Sequence, residues 1–297
     1  MRRLEELNLM DNFLVNSLTS HKRYGEPAAR CILECILGRK LGRLKVLQQH
    51  FIQGENTDRH GVRLDVYLDE EDGAGELFDL EPDNNDGKED TAALPRRVRF
   101  YHAKLDAESF KAGEKYERLR NVFVIFITTY DPFRSGRMVY TIKNGCIEEP
   151  DLPYEDGART IFLYTRGWKG NPPESLRRLL RYMEHSTEEN AGTEDLQKLH
   201  EMVTAVKTDG EVGLAYMKFF ELEERTLQKG IRQGRMEGKA EGKAEAILDL
   251  LCEWGEVPSA VQEQIDSQKD DAILRSWLKL AAKAESIQDF VQKAFTN

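Results

Sequence analysis

The chain has 297 residues, of which 40% are hydrophobic and 32% charged, and a net charge of −10. That is enough length and apolar content for one large domain with an appendage, or for two domains. The longest apolar runs, such as Val122 to Ile127, fall far short of the roughly 20 residues of a bilayer-spanning helix.

The N-terminus, MRRLEELNLMDNFL, starts basic but carries Glu5, Glu6 and Asp11 and lacks a small-residue cleavage site, so it does not read as a signal peptide. A helix is predicted over Leu7 to Leu14 and a second over Glu26 to Leu37. The second has an apolar stripe of Ala28, Ala29, Cys31, Ile32, Cys35 and Ile36, and Gly38 suits its end. The four cysteines (31, 35, 146 and 252) form no CxxC pair and no Cys/His cluster. A structural zinc site is therefore not expected, and the reading is free thiols in a reducing cytoplasm.

Lys45 to Gln53 reads as a strand. Over residues 61–69, Val62, Leu64, Val66 and Leu68 alternate with Arg63, Asp65, Tyr67 and Asp69, the two-residue period of a half-buried strand. In the next strand Phe78 and Leu80 alternate with Asp79, Glu81 and Asp83, which puts those three carboxylates on one face. If the two strands pair as a hairpin, Asp65 joins them. Clustered carboxylates repel unless a proton or cation lies among them, and a hard cation such as Mg²⁺ takes oxygen ligands of this kind. Residues 69–90 hold eleven acids against one base, Lys88. Most of them read as surface groups, Asp79 included. Pro82 has no N–H, which predicts an edge strand or a bulge.

Leu94 to Phe110 reads as a helix with Pro95 in the first helical position. Arg97, Tyr101 and Lys104 share a face of it at i, i+4 and i+7. His102 reads as a structural histidine. Asn121 to Thr128 is a central strand buried on both faces, and Met138 to Lys143 and Ile161 to Thr165 are further strands. Asp131 reads as a turn residue. Two segments are locally basic: residues 94–120, with eight Lys/Arg and four acids, and residues 166–181, with five bases and one acid. An acidic chain with such segments can still bind a polyanion.

From Ser186 onward no strand is predicted. Leu196 to Val206 and Val212 to Leu227 are amphipathic helices, and Gly230, Gly234, Gly238 and Gly242 then recur every four residues. Four glycines cost roughly 4 kcal/mol against alanine in an isolated helix, so this segment is either a close-packed helix or a spacer. The division expected is a core over residues 1–185, a helical extension over 186–229, the glycine repeat over 230–246 and a small helical module over 247–297. That module is suited to packing on a partner or forming a homodimer.

The order helix, strand, Asp strand, Glu strand, basic helix, apolar strand resembles the PD-(D/E)XK restriction-endonuclease-like core: an α/β fold with a central mixed sheet flanked by helices, here with an all-helical C-terminal region. LNLMDNFL, GVRLDVYL, LFDLEPD, LPRRVRFYHAKLD and NVFVIFITTYDPF, in that order, resemble the Rpn family of recombination-promoting nucleases and putative transposases. The glycine repeat and ILDLLCEWGEVP resemble that family's tail. The resemblance covers residues 1–145 well and the tail loosely. It implies Asp65 as first metal ligand and Glu81 as the second acidic position, holding Mg²⁺ or Mn²⁺. The position two residues beyond Glu81, lysine in the broad fold, is Asp83, a third candidate ligand that cannot supply positive charge. Arg97 and Lys104 are then the candidate cations, and Glu34 a candidate outer acid. Asp65 has an alternative role in a salt bridge to Arg63 or Arg97. The function implied is metal-dependent DNA cleavage, with RNA left open. The alternative is a degenerate nuclease fold retained as a binding or self-assembly module, without a membrane partner.

Overall fold

The computed structural model describes residues 2–48, 51–52, 62–63, 66–70, 75–110 and 112–295, in two compact units, Met1–Tyr216 and Met217–Asn297. The first unit opens with helices α1 (Asn12–Ser20) and α2 (Gly25–Leu37). The helix predicted from Leu7 starts only after Asp11. Leu9 N–H instead donates to Ser186 Oγ at 3.0 Å and Met10 N–H to Met183 C=O at 3.1 Å, which pins both buried residues into the core as a turn closed by the Asp11 N–H on Asn8 C=O. Helix α2 ends as expected at Gly38, whose φ of 68° is the left-handed conformation glycine adopts without strain.

The strands follow as β1 (Leu44–Gln48), β2 (Phe51–Ile52), β3 (Val62–Arg63), β4 (Val66–Glu70) and β5 (Leu77–Asp83). Then come helix α3 (Lys88–Ser109), strands β6 (Val122–Thr128), β7 (Val139–Ile142) and β8 (Ala158–Tyr164), and helices α4 (Glu174–Glu184) and α5 (Glu194–Lys207). Six strands form one mixed sheet in the order β1-β4-β5-β6-β8-β7, while β2 and β3 pair separately. Strands β5, β6 and β8 run parallel, and the remaining neighbours are antiparallel.

Alternation along the central strands builds two cores. Phe78, Leu80, Ile125, Ile127 and Leu163 face one side, with the apolar residues of α1, α2, α4 and α5. Leu77, Val122, Val124, Phe126 and Phe162 face the other, against Leu94, Val98, Tyr101 and Leu105 of α3. Phe78 is fully buried with its ring 5.3 Å from that of Phe123. Phe78→Ala is therefore expected to cost about 3–5 kcal/mol, read as a lowered urea midpoint. A loss below about 1 kcal/mol would contradict this packing.

Two prolines correct the sequence reading. Strand β5 is an interior strand, third of six, not an edge. Leu77 N–H donates to Asn121 C=O, on the β6 side. Alternation then turns the position of the missing Pro82 N–H toward the β4 side, beyond the last described pair there, Val66↔Leu80. Pro95 is not a first helical residue, because α3 starts at Lys88 and carries it inside. An internal proline costs about 3 kcal/mol or more. Burial of the Leu94, Val98, Tyr101, Leu105 stripe on the sheet offsets it.

The first unit extends past residue 185 because Leu196, Leu199, Val203 and Val206 of α5 belong to its core. Helix α6 (Gly210–Cys252) runs without interruption through the four glycines. The second unit continues with α7 (Ser259–Ser267), α8 (Asp271–Ala281) and α9 (Ile287–Phe295). Its core already begins at Ala240 and Ala244, inside the predicted repeat segment, and includes Ile247, Leu251, Ile265, Leu274, Trp277 and Phe290. Among the described residues no helix is long and apolar enough to cross a membrane.

Candidate active site

Strand β5 places the acids. Leu77, Asp79, Glu81 and Asp83 alternate with Phe78, Leu80 and Pro82, so the three carboxylates share the face covered by α3. They are buried, with relative exposures of 0% for Asp79, 2% for Glu81 and 8% for Asp83. Asp79, expected at the surface, is thus an interior residue. Glu70 and Glu76, also in the acidic stretch, are buried as well. Glu70 accepts the Gly42 N–H, and Glu76 pairs with Arg39. Arg120 ties the β4–β5 connection together, bonding Asp69 at 2.7 Å and the carbonyls of Gly75, Glu70 and Glu76.

Helix α3 brings a cation to this face. The Arg97 guanidinium donates through Nη1 to Asp83 Oδ2 at 2.9 Å and through Nη2 to Glu81 Oε2 at 3.1 Å. Its Nε donates to Tyr101 Oη, one helical turn on, at 3.1 Å. The guanidinium also lies 5.4 Å from the Tyr101 ring centroid and 5.1 Å from that of Phe126. The side chain is still 41% exposed, so the fork has one side toward solvent. Burial disfavours its charged form, but Tyr101, Glu81 and Asp83 outweigh that and hold its pKa above the ordinary arginine value.

Asp83 has a second role. Its Oδ1 accepts the Asn85 N–H at 2.8 Å, closing the turn into α3. Asn84 reaches Met10 C=O at 2.6 Å and accepts from Thr129 Oγ1 at 3.1 Å. Asp11, Asn12, Pro82, Asp83, Asn84, Asn85 and Arg97 line a cleft of about 430 Å³ at the end of β5. A cleft at the carboxyl ends of parallel strands is where open α/β sheets bind ligands.

Burial pushes Tyr101 up to about 12, and the Glu81 charge adds to it against the opposing Arg97. A phenol whose pKa is raised on folding stabilises the fold fully below its unfolded value, and that stability is lost as pH rises through the folded value. The window is pH 10 to about 12. Tyr101→Phe should flatten the fall of stability across that window in denaturant titrations. An unchanged slope would mean that Tyr101 is not shielded.

The other candidates fall elsewhere. Asp65 lies outside the described residues. Lys104 turns its ammonium onto the Phe100 ring, 5.6 Å from the centroid. It makes no ion pair with a carboxylate among the described residues. Glu34 pairs with Lys40 and Arg30 on α2, which packs on the opposite sheet face. His102 bonds Thr160 Oγ1 at 2.9 Å, as a structural histidine does. Asp131 is a turn residue, accepting from Phe133 N–H at 3.1 Å and Tyr140 Oη at 2.7 Å. Tyr130 escaped the sequence reading. Burial raises it to about 12, with the Asp83 charge adding to the shift. The available signal was its place just past the end of the apolar strand.

Among the described residues no three His, Cys, Asp or Glu side chains are grouped as a metal site. Glu81 and Asp83 offer oxygen ligands of the kind a hard divalent cation takes, and they share the Arg97 fork. A cation held here would share Glu81 and Asp83 with the Arg97 guanidinium or displace it. No protein-family model, curated protein or solved structure matches the chain.

Proposed function

We propose that the chain is a divalent-metal-dependent DNA endonuclease with a PD-(D/E)XK core of the Rpn type. The observation that carries this reading is the pair of buried carboxylates on one strand face, Glu81 and Asp83, bridged by Arg97 from the following helix. Placement of the strand that carries Glu81 and Asp83 beside parallel strands, followed by a basic helix, supports it. So does the resemblance of the five sequence blocks.

In this reading Asp65 and Glu81 would hold Mg²⁺ or Mn²⁺, with Asp83 as the additional oxygen ligand. Such an ion would supply Lewis-acid polarisation of the scissile phosphate and a bound water of lowered pKa. Arg97 would take the part of the broad fold's lysine, its guanidinium fork stabilising charge that develops on the phosphate. Asp83 and Tyr101 hold that fork in place. Lys104 adds positive charge on the same helix for backbone contacts that carry no sequence information. Supercoiled plasmid incubated with the chain and Mg²⁺ or Mn²⁺ should be nicked, and chelation should stop the reaction.

One observation favours a second reading, a degenerate nuclease fold that binds or assembles without cutting. Arg97 already pairs with both carboxylates, as a resident cation would. Calorimetry separates the two. Heat of Mn²⁺ binding that vanishes in Glu81→Ala supports the enzyme, and its absence in the wild type at millimolar metal supports the degenerate fold.

A further inference from the structure

We propose that Trp168 is a base-stacking platform and that the nucleic acid bound at this edge presents an unstacked base, as single-stranded or locally opened strands do. This rests on the nucleic-acid reading above and adds the form of the substrate. Asp83, Thr128 and Tyr164 form one rung across β5, β6 and β8, about 10 Å wide. The segments 129–138 and 165–173 leave the sheet from that rung, on the same edge as the cleft beside Arg97.

Trp168 is 74% exposed, although tryptophan is among the more buried residue types on average. Its backbone is nevertheless fixed. Trp168 N–H and Lys169 N–H both donate to Gly136 C=O, at 3.0 and 2.8 Å. Gly167 N–H donates to Tyr164 C=O at 3.0 Å, and Met138 N–H to Lys169 C=O at 3.2 Å. Gly136 has a φ of 71°, and a Cβ there would lie 2.7 Å from the indole nitrogen, so glycine leaves room for the ring beside this turn. A large ring on a fixed backbone binds with little further ordering.

The surroundings are cationic. Lys169 Nζ lies 4.8 Å from the Trp168 ring centroid. Arg134, Arg137 and Lys169 are exposed, and none has an ion-pair partner among the described residues, whereas the neighbouring Arg166 is paired with Glu184. A run of rings leads from this edge to the candidate site. Phe133 meets Phe162 edge-on at 5.0 Å, Phe162 stacks on Phe126 at 5.7 Å, and Phe126 lies under Arg97. An exposed aromatic face among unpaired cations fits a base with its flanking phosphates. A closed duplex offers no free π-face, so the stacking contribution is specific to unpaired strands.

The test is binding of the full chain to single-stranded oligothymidylate and to a duplex of equal length, with chelator present so that cleavage plays no part. Trp168→Ala should weaken single-strand binding roughly ten-fold or more and leave duplex binding nearly unchanged. Trp168→Phe should recover most of the affinity, and Gly136→Ala should lose it by displacing the ring. Single-strand binding by Trp168→Ala equal to the wild type, or an equal loss on duplex, overturns the proposal. Failure of the nuclease reading looks different: no cleavage with metal, but Trp168-dependent binding intact. Cleavage with Trp168-independent binding sinks this inference alone.

Discussion

Glu81→Gln is expected to reduce metal-dependent plasmid nicking by about 10³-fold or more, with little change in thermal midpoint. The size follows from the role. If the metal is held as proposed, it would be lost without the second carboxylate, and the acceleration it supplies would go with it. Glutamine preserves the volume and can still accept from Arg97 Nη2, so the bridge to α3 survives in weakened form. Because the site is 2% exposed, an isosteric change is the informative one, whereas alanine would also leave a gap. Asp65→Asn should behave alike. Nicking rates in Mn²⁺ across an enzyme dilution series measure both.

Arg97→Ala should show the second large effect, in two separable readouts. Removing one partner of a buried ion pair costs roughly 3–5 kcal/mol. Arg97 is 41% exposed and water can replace part of its bonding, so about 2 kcal/mol is expected here. Nicking should fall about 10²- to 10³-fold if the guanidinium faces the developing charge. Arg97→Lys keeps the charge but loses the two-pronged fork and should fall between wild type and alanine. An increase in activity on removing Arg97 would identify the guanidinium as a plug between the carboxylates and not as part of the chemistry.

How much could be read beforehand depended on whether a short period carried the information. Strict alternation in LFDLEPD put Asp79, Glu81 and Asp83 on one face, and the structure has them so. Alternation does not reveal which face is covered, so the sequence points to an exposed Asp79, which α3 instead buries. The start of α3 was misplaced at Pro95 because a proline preference outweighed the signal of Glu89 and Asp90 in the first turn, which favours a helix N-terminus. Tyr101 was grouped with Arg97 and Lys104 by helical spacing. Its ring belongs to the apolar stripe, and both its hydroxyl and its ring face meet Arg97. Lys104 turns aside to Phe100, a choice between neighbouring side chains that spacing alone does not determine. The glycine repeat left helix and spacer equally open, and the continuous α6 became visible only with the Ala240 and Ala244 contacts that anchor its far end.

Whether the carboxylates of β5, with Asp65, make a metal-dependent phosphodiesterase is measured most directly by a time course of supercoiled plasmid with the purified chain in Mn²⁺, run beside Glu81→Gln and beside wild type in chelator. Nicked product is expected in the first reaction alone. No product at any Mn²⁺ concentration, or equal product from Glu81→Gln, would contradict the metal-dependent reading.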